Sequence, residues 1–252
     1  MLDVNINSIR LITDNCEKEL LNSIHFAIER GTINSILGKN GSGKSTLISS
    51  LTCLVDPRFI KVEGEVTYNG VNIFDMDTRS LQNFRMNIIR YVFQDSINIF
   101  DPLKTFEYYF KKTGAEIHQI DSYLDYFLLP GSREIFKMYP YEVSGGMAQR
   151  INLILAFLAE PKILFLDEPT SSTDIPIANL IKIKLKEYVK EKSTSVLIIT
   201  QDIRFAFEVS DKIALISDET ISKFYSTAEI FQSGEKFGFD EFKTKLENFK
   251  DC

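Results

Sequence analysis

Histidine is nearly missing from these 252 residues, with only His25 and His118 present. A metal centre built on several imidazoles is thereby excluded. Tryptophan is absent. The three cysteines, Cys16, Cys53 and Cys252, are too few and too scattered for a thiolate cluster or a disulfide framework. Positive charge is not in surplus either: 29 basic against 35 acidic residues leave a net −6, which argues against a surface that coats nucleic acid. Long apolar runs are lacking. The longest, Leu153–Ala159, has seven residues, and a bilayer span needs roughly 20. Met1–Arg10 does not read as the basic, apolar leader of a secreted chain, so a cytosolic compartment is expected.

What is present is ordinary for a globular protein: 44% hydrophobic, 25% charged, 12 Gly and 7 Pro. The length suits one large domain or two intimate subdomains. Apolar and polar residues alternate through Val4, Ile6, Ile9 and Leu11, through Ile24, Phe26 and Ile28, and along Val62–Tyr68, as in half-buried antiparallel strands. Ile33–Leu37, Ile163–Leu166, Val196–Ile199 and Ile213–Ile216 are short and nearly continuous, as in parallel strands buried on both faces. Helical patterns at Lys44–Leu54, Gly145–Ala159 and Ile177–Val189 lie between them. This alternation predicts a doubly wound α/β core. Phe100–Tyr141 interrupts it: 42 residues hold 11 of the 30 Phe and Tyr, so this helical stretch is expected either to fill its own core or to offer an apolar groove. Phe239, Phe242, Leu246 and Phe249 at helical spacing predict a terminal amphipathic helix.

The chemistry begins after the strand Ile33–Leu37. Gly38-Lys39-Asn40-Gly41-Ser42-Gly43-Lys44-Ser45, followed by Thr46, satisfies G-x-x-x-x-G-K-[ST] at the opening of a helix, the context this phosphate-binding loop requires. Glycines let backbone N–H groups converge on phosphate oxygens, and the helix N-terminus adds positive potential. Lys44 is then the cation for the β- and γ-phosphates of a nucleoside triphosphate, and the Ser45 hydroxyl a ligand for Mg2+. A glycine-rich turn without a ligand is the plain alternative. The strand Ile163–Leu166 ends in Asp167 and Glu168, suited to hold Mg2+ and to act as general base on a water. Many strands end in solvated acids, so this pair gains its meaning from its company.

That company is Ser144-Gly145-Gly146-Met147-Ala148-Gln149-Arg150, a serine-glycine turn opening a helix, and Gln94 after the strand Ile88–Phe93. In this order along nearly the whole chain, the motifs resemble the ATP-binding-cassette (ABC) ATPases. The resemblance implies a P-loop NTPase cassette: a doubly wound, mostly parallel sheet with an N-terminal antiparallel β subdomain and an inserted helical subdomain. It implies residues 1–94 as the first half of the core, 95–152 as the helical insertion, 153–225 as the second half and 226–252 as a helical tail. It also implies ATP and Mg2+ as cofactors. Ser144, Gly145 and Gly146, with Gln149 in the same motif, become the signature that meets the nucleotide of a partner subunit. Gln94 becomes a residue touching Mg2+ and the attacking water, and Ser171-Ser172-Thr173-Asp174 a loop that reaches across the dimer, with Thr173 where an apolar residue is usual. Gln201, before Asp202, takes the switch position.

Phe93-Gln94-Asp95-Ser96-Ile97-Asn98-Ile99-Phe100-Asp101-Pro102-Leu103 narrows the likeness to importer ATPases of the peptide and nickel type. That subfamily implies uptake of oligopeptides, dipeptides, nickel or metal–chelator complexes. It implies transmembrane permease partners, a second ATPase subunit, indirect contact with an extracytoplasmic solute-binding protein, no nucleic acid, and a peripheral place on the cytoplasmic face of the inner membrane. Glu229-Ile230-Phe231 matches the end of the shared core, but the four-cysteine extension many such proteins carry is replaced by a tail containing Cys252 alone.

Two departures stand out. The switch position normally carries histidine; here it is Gln201, which can donate a hydrogen bond but cannot take up a proton near neutral pH. The family also stacks an aromatic ring on adenine from the early strand region, yet Met1–His25 contains no aromatic residue, and Leu11 or Ile12 falls nearest that place. These departures favour a heterodimer whose weaker nucleotide site is built on this chain. A regulatory ABC subunit with little hydrolysis at its own site, and a soluble non-transport ABC ATPase, are the competing readings.

Overall fold

A computed structural model describes residues 1–13, 16–233 and 239. In chain order the elements are β1 (Leu2–Thr13), β2 (Cys16–Ile28), β3 (Ile33–Leu37), α1 (Lys44–Leu51), β4 (Ile60–Tyr68), β5 (Val71–Asn72), α2 (Thr78–Asn87), β6 (Ile89–Val92), α3 (Phe106–Thr113), α4 (Ile117–Tyr126), α5 (Ser132–Ile135) and α6 (Gly145–Leu158). Then follow β7 (Ile163–Asp167), α7 (Ile175–Lys192), β8 (Ser195–Thr200), α8 (Ile203–Val209), β9 (Lys212–Ser217), β10 (Thr220–Ile221), β11 (Tyr225–Ser226) and α9 (Thr227–Ser233).

The alternating segments at the start form an antiparallel sheet in the order β2-β1-β4-β5. Leu2, Val4, Ile6 and Ile9 of β1 are all buried, with Leu21, Ile24 and Ile28 of β2, while Asn5, Asn7, Ser23 and His25 between them are exposed. The continuous apolar runs form the second sheet, β10-β9-β3-β8-β7-β6, with β9, β3, β8, β7 and β6 parallel. Side-chain parity divides this sheet between two cores. Leu164, Leu166, Val196 and Ile198 point to the side of α6 and α7, where Ile151, Ile154, Ile181 and Leu185 cover them. Ile163, Phe165, Leu197 and Ile199 point to the other side, against Leu47, Ile48 and Leu51 of α1 and the antiparallel sheet. Each fully buried Leu, Ile or Phe contributes about 1.5–3 kcal/mol relative to exposure, so both faces must be covered for these strands to be stable in water. This is the doubly wound core the sequence predicts.

The aromatic-rich stretch becomes α3, α4 and α5. Phe100, Phe106, Phe110 and Phe127 are buried, and Tyr109, Tyr123, Tyr126 and Phe136 pack against the same cluster. Tyr108 and Tyr141 are the exposed rings, at 40% and 67%. Most of the rings therefore serve the local core and not a groove. Of the expected terminal helix, Phe239 alone is described; it is fully buried beside Ile230, and Phe242, Leu246 and Phe249 lie outside the described residues.

Because β3, β8 and β7 are neighbours in parallel register, their carboxyl ends come out side by side. Gly38 follows β3, Thr200 ends β8 with Gln201 after it, and Asp167 ends β7 with Glu168 after it. Parallel sheets place ligand sites at this edge.

Candidate functional site

The phosphate loop is held open by steric necessity. A Cβ on Gly38 would lie 2.1 Å from Cγ2 of Ile216, and Gly43, with φ +91°, sits in the left-handed region immediately before α1. Lys44 begins the helix, and its ammonium folds back into the loop, donating to the carbonyls of Gly38 and Lys39 at 2.9 Å each. It also approaches Glu168 Oε1 at 3.8 Å, and both side chains are almost wholly buried. The Ser42 hydroxyl in the same loop is buried with no hydrogen-bond partner. A cavity of about 460 Å3 opens in front of these groups, walled by Asn40, Gly41, Gly43–Thr46, Gln94, Asp167, Glu168 and Leu20.

The two carboxylates are fixed from several directions. Glu168 accepts from the Thr200 hydroxyl at 2.8 Å and from the Gln201 backbone N–H at 3.0 and 3.2 Å. Its own backbone is in the left-handed region, φ +47°, a conformation that costs a non-glycine residue about 1–3 kcal/mol and persists only where its surroundings enforce it. They do: the Glu168 N–H donates to the Ile199 carbonyl at 2.9 Å, and Gln149 Nε2 donates to the Glu168 carbonyl at 3.1 Å. Asp167 accepts from the Tyr91 hydroxyl at 3.0 Å through Oδ2 and from Ser45, whereas its Oδ1 is buried with no partner.

Burial pushes both carboxyls above the ordinary carboxylate range. For Asp167, the Ser45 and Tyr91 hydrogen bonds and then Lys44 oppose this; for Glu168, Thr200, the Gln201 N–H and Lys44 do so, while Asp167 adds to the rise. Burial lowers Lys44 against the pull of Glu168 and Asp167. Two acids and one cation are thus held at tension, a state that an arriving polyanion with its counter-cation relieves. The donors around the bare Asp167 oxygen are a serine hydroxyl, a carboxylate and the Gln94 amide on the cavity wall, all oxygen ligands, which suit Mg2+.

Known proteins resolve the family. The profile of the ABC transporter family matches residues 21–171, well over half of the chain. This chain belongs to the ABC transporter family. Among relatives, the oligopeptide transport ATP-binding protein OppD of Salmonella typhimurium is 28% identical over 247 residues, covering 92% of this cassette and 71% of that protein. The phosphate import ATP-binding protein PstB of Aeropyrum pernix is 31% identical, covering 91% and 92%. A solved dimeric bacterial ABC transporter cassette superposes with a TM-score of 0.76 at 26% identity, covering 90% of this chain and 99% of that one. The same kind of cassette in a post-hydrolysis state with ADP and Pi superposes at 0.74.

Within the cassette, Asn40, Gly41, Gly43–Thr46, Gln94, Asp167 and Glu168 come together on one cavity, with Gly38, Lys39 and Ser42 in the loop behind it. Gln201 reaches Glu168 through its backbone, and its side chain is exposed. Gln149 is 1% exposed and braces the Glu168 backbone from behind, off the cavity wall. Ser144, Gly145 and Gly146 start α6 elsewhere on the surface, where the Ser144 hydroxyl caps the helix by accepting from Met147 N–H at 3.3 Å. Asp174 likewise caps α7, accepting from Ile177 N–H at 3.0 Å. The two turns touch: a Cβ on Gly146 would come within 2.8 Å of the Ser172 carbonyl oxygen.

Three site residues have no place in the motif reading: Tyr91, Thr200 and Leu20. Tyr91 and Thr200 each sit beside a recognised position, and strand parity alone could have placed their side chains. Leu20 stands on the cavity wall where Leu11 or Ile12 was expected to come nearest.

Proposed function

We propose that this cassette is the ATP-hydrolysing subunit of a membrane importer, with an oligopeptide, dipeptide, nickel or metal–chelator complex as cargo. The observation that carries the reading is one cavity that joins the phosphate loop, Gln94, Asp167 and Glu168 in a member of this family. The names of OppD and of the dipeptide transport protein DppD of Caldanaerobacter subterraneus support the peptide class, as does Phe93–Leu103, while PstB is named for phosphate. Residues 1–94 and 153–225 form the two halves of the core, 95–152 the helical insertion and 226–252 the tail.

In this reading Lys44 exchanges its two loop carbonyls for phosphate oxygens as ATP enters. Asp167, Ser45 and Gln94 hold Mg2+, which when bound neutralises phosphate charge. Glu168 orients a water and takes its proton as the water oxygen bonds to the γ-phosphorus and the bond to the bridging oxygen of ADP breaks, leaving ADP and phosphate. Thr200 and the Gln201 N–H keep Glu168 pointed at that water. Ser144, Gly145, Gly146 and Asp174 serve the nucleotide of the opposite subunit. Permease subunits at the cytoplasmic face of the inner membrane, a second ATPase subunit and, indirectly, a solute-binding protein complete the assembly. No described helix is itself long and apolar enough to cross a membrane.

Purification of the tagged chain from detergent-solubilised membranes tests this. Permease subunits with a different ABC ATPase are expected in the complex, together with Mg-ATP hydrolysis. Recovery of the chain in the soluble fraction alone would overturn it. The exposed Gln201 side chain favours one second reading, a regulatory subunit that binds ATP; single-turnover hydrolysis below background in the complete complex would select it.

A further inference from the structure

Gln149 lies in α6 with its side chain 1% exposed. A glutamine is a poor way to fill such a space. Its Oε1 is buried with no hydrogen-bond partner among the described residues, a cost that an apolar side chain of similar volume avoids. Buried polar groups are nearly always paired in folded proteins, so one half of this amide is tolerated for the sake of the other. That other half is Nε2, which donates to the Glu168 carbonyl at 3.1 Å.

The backbone of Glu168 is a place where such a bond has leverage. Its φ of +47° lies in the left-handed region, which residues with a side chain rarely adopt. Backbone groups supply two restraints: the Glu168 N–H donates to the Ile199 carbonyl at 2.9 Å, and the Glu168 carbonyl accepts from the Ser171 N–H at 3.1 Å. Gln149 supplies the third, and among the described residues no other side chain bonds to this backbone. The amino end of α6 comes this close because Gly146 has no side chain; a Cβ there would lie 2.8 Å from the Ser172 carbonyl oxygen. Backbone angles scatter by about 15–20° around their regular values. At Glu168 a swing of that size carries the distant carboxylate by roughly 1 Å, and a misplacement of that order costs about 10²-fold in rate.

We propose that Gln149 is a positioning residue for hydrolysis at this chain's own site: its amide N–H holds the Glu168 backbone in the left-handed conformation that turns the carboxylate into the phosphate-loop cavity. The inference rests on the reading of Glu168 as the base. It takes Gln149 out of the nucleotide contacts that its motif suggests and gives it a task behind the cavity wall, inside its own subunit.

The experiment uses the full chain in excess over Mg-ATP, so that every site that turns over is built on this chain. Gln149→Met keeps length and bulk but lacks the donor. The single-turnover rate is expected to fall about 10–100-fold, with Mg-ATP affinity within about twofold of the parent. In a Glu168→Gln background the same substitution is expected to change nothing, because the group it positions is gone. A general loosening of the fold would weaken Mg-ATP binding or act equally in both backgrounds. Either result overturns the proposal, as does a parent-like rate for Gln149→Met. A second measurement needs no turnover: glutamate labelled with carbon-13 at the carboxyl, in the nucleotide-free chain, with the Glu168 resonance assigned by its loss in Glu168→Gln. Gln149→Met is expected to shift that resonance and leave those of the other glutamates in place; an unmoved Glu168 resonance overturns the positioning role. A parent rate that Glu168→Gln leaves untouched brings down the reading of Glu168 as the base, an outcome distinct from the others.

Discussion

The phosphate-loop cavity and the amino end of α6 both present glycines at the start of a helix, but they are finished differently. In the cavity, Lys44 is tied to two carbonyls and approaches Glu168, and the Glu168 carboxylate takes bonds from Thr200 and Gln201. At α6, Ser144 is exposed and its hydroxyl serves its own helix. Gly145 has a single near neighbour, Ile97, at 3.9 Å from where a Cβ would be. The first is a site whose charges already oppose one another and await a ligand. In the proposed reading the second is half of a site, and the opposite subunit supplies the rest. In the proposed pairing with a different ATPase the two sites divide the work unequally, because Gln201 and the missing aromatic ring belong to the first region alone.

The strongest way to break this comparison is to remove the cation that belongs to the cavity alone. Lys44→Ala deletes the ammonium and leaves Glu168 and Asp167 buried beside each other. ATP affinity is expected to fall by about 100-fold or more, the scale of losing a charge-assisted contact to phosphate with its partners left unpaired. Nucleotide titration of the isolated chain measures it. Parent-like binding of Mg-ATP would remove the phosphate loop from the site.

The next test sets one region against the other in the assembled complex. Ser144→Arg blocks the half-site that meets the partner's nucleotide, and hydrolysis is expected nearly to cease. Glu168→Gln disables the base on this chain's own side, where a positioned acid–base group supplies about 10²–10⁴-fold. If the other site carries most turnover, the whole complex slows by less than about half. A homodimer of this chain alone with full activity would erase the asymmetry.

Glu168→Gln also sharpens the contrast through stability. The folded state raises the pKa values of Glu168 and Asp167, so it binds protons more tightly than the unfolded chain. Their contribution to stability is present below the unfolded carboxylate range and is lost as pH rises through the folded values. At neutral pH both are strained as anions. Glu168→Gln is therefore expected to raise the melting temperature of the nucleotide-free chain, by about 2–4 °C per kcal/mol recovered, and to flatten its decline between pH 4 and neutrality. Calorimetry across pH decides this. A lower melting temperature at pH 7 would show that the bonds from Thr200 and Gln201 outweigh burial.

Much of this was legible in the residues. The phosphate loop, the Asp167–Glu168 strand end and Gln94 are local patterns with fixed offsets, and the parallel sheet follows from short runs buried on both faces. What escaped was set by tertiary packing. Helix α2 has a single buried residue, Phe84, so no apolar period announces it. The aromatic stretch reads equally as groove or core until its rings are seen to pack on one another. Gln149 belongs to a nucleotide-binding motif by sequence, yet its position on the inner face of α6 sends its side chain to the Glu168 carbonyl.

Leu20 is the sharpest of these cases and yields the smallest expected effect. The register of β1 on β2 shifts between Ile9, opposite Leu21, and Arg10, opposite Glu19, so Leu20 is left without a partner in the ladder. A bulge of this kind re-aims one side chain, and here Leu20 joins the wall of the phosphate-loop cavity. Counting along β1 pointed instead to Leu11 and Ile12. If adenine lies against this wall, Leu20→Tyr supplies the absent ring, and a stacked base is worth about 1–3 kcal/mol over a truncated side chain. Leucine already retains part of that by apolar burial, so about 1 kcal/mol, a fivefold gain in ATP affinity, is expected. Leu11→Tyr is the matched comparison. A gain from Leu11→Tyr with none from Leu20→Tyr would return the base to β1 and leave the bulge a purely structural feature.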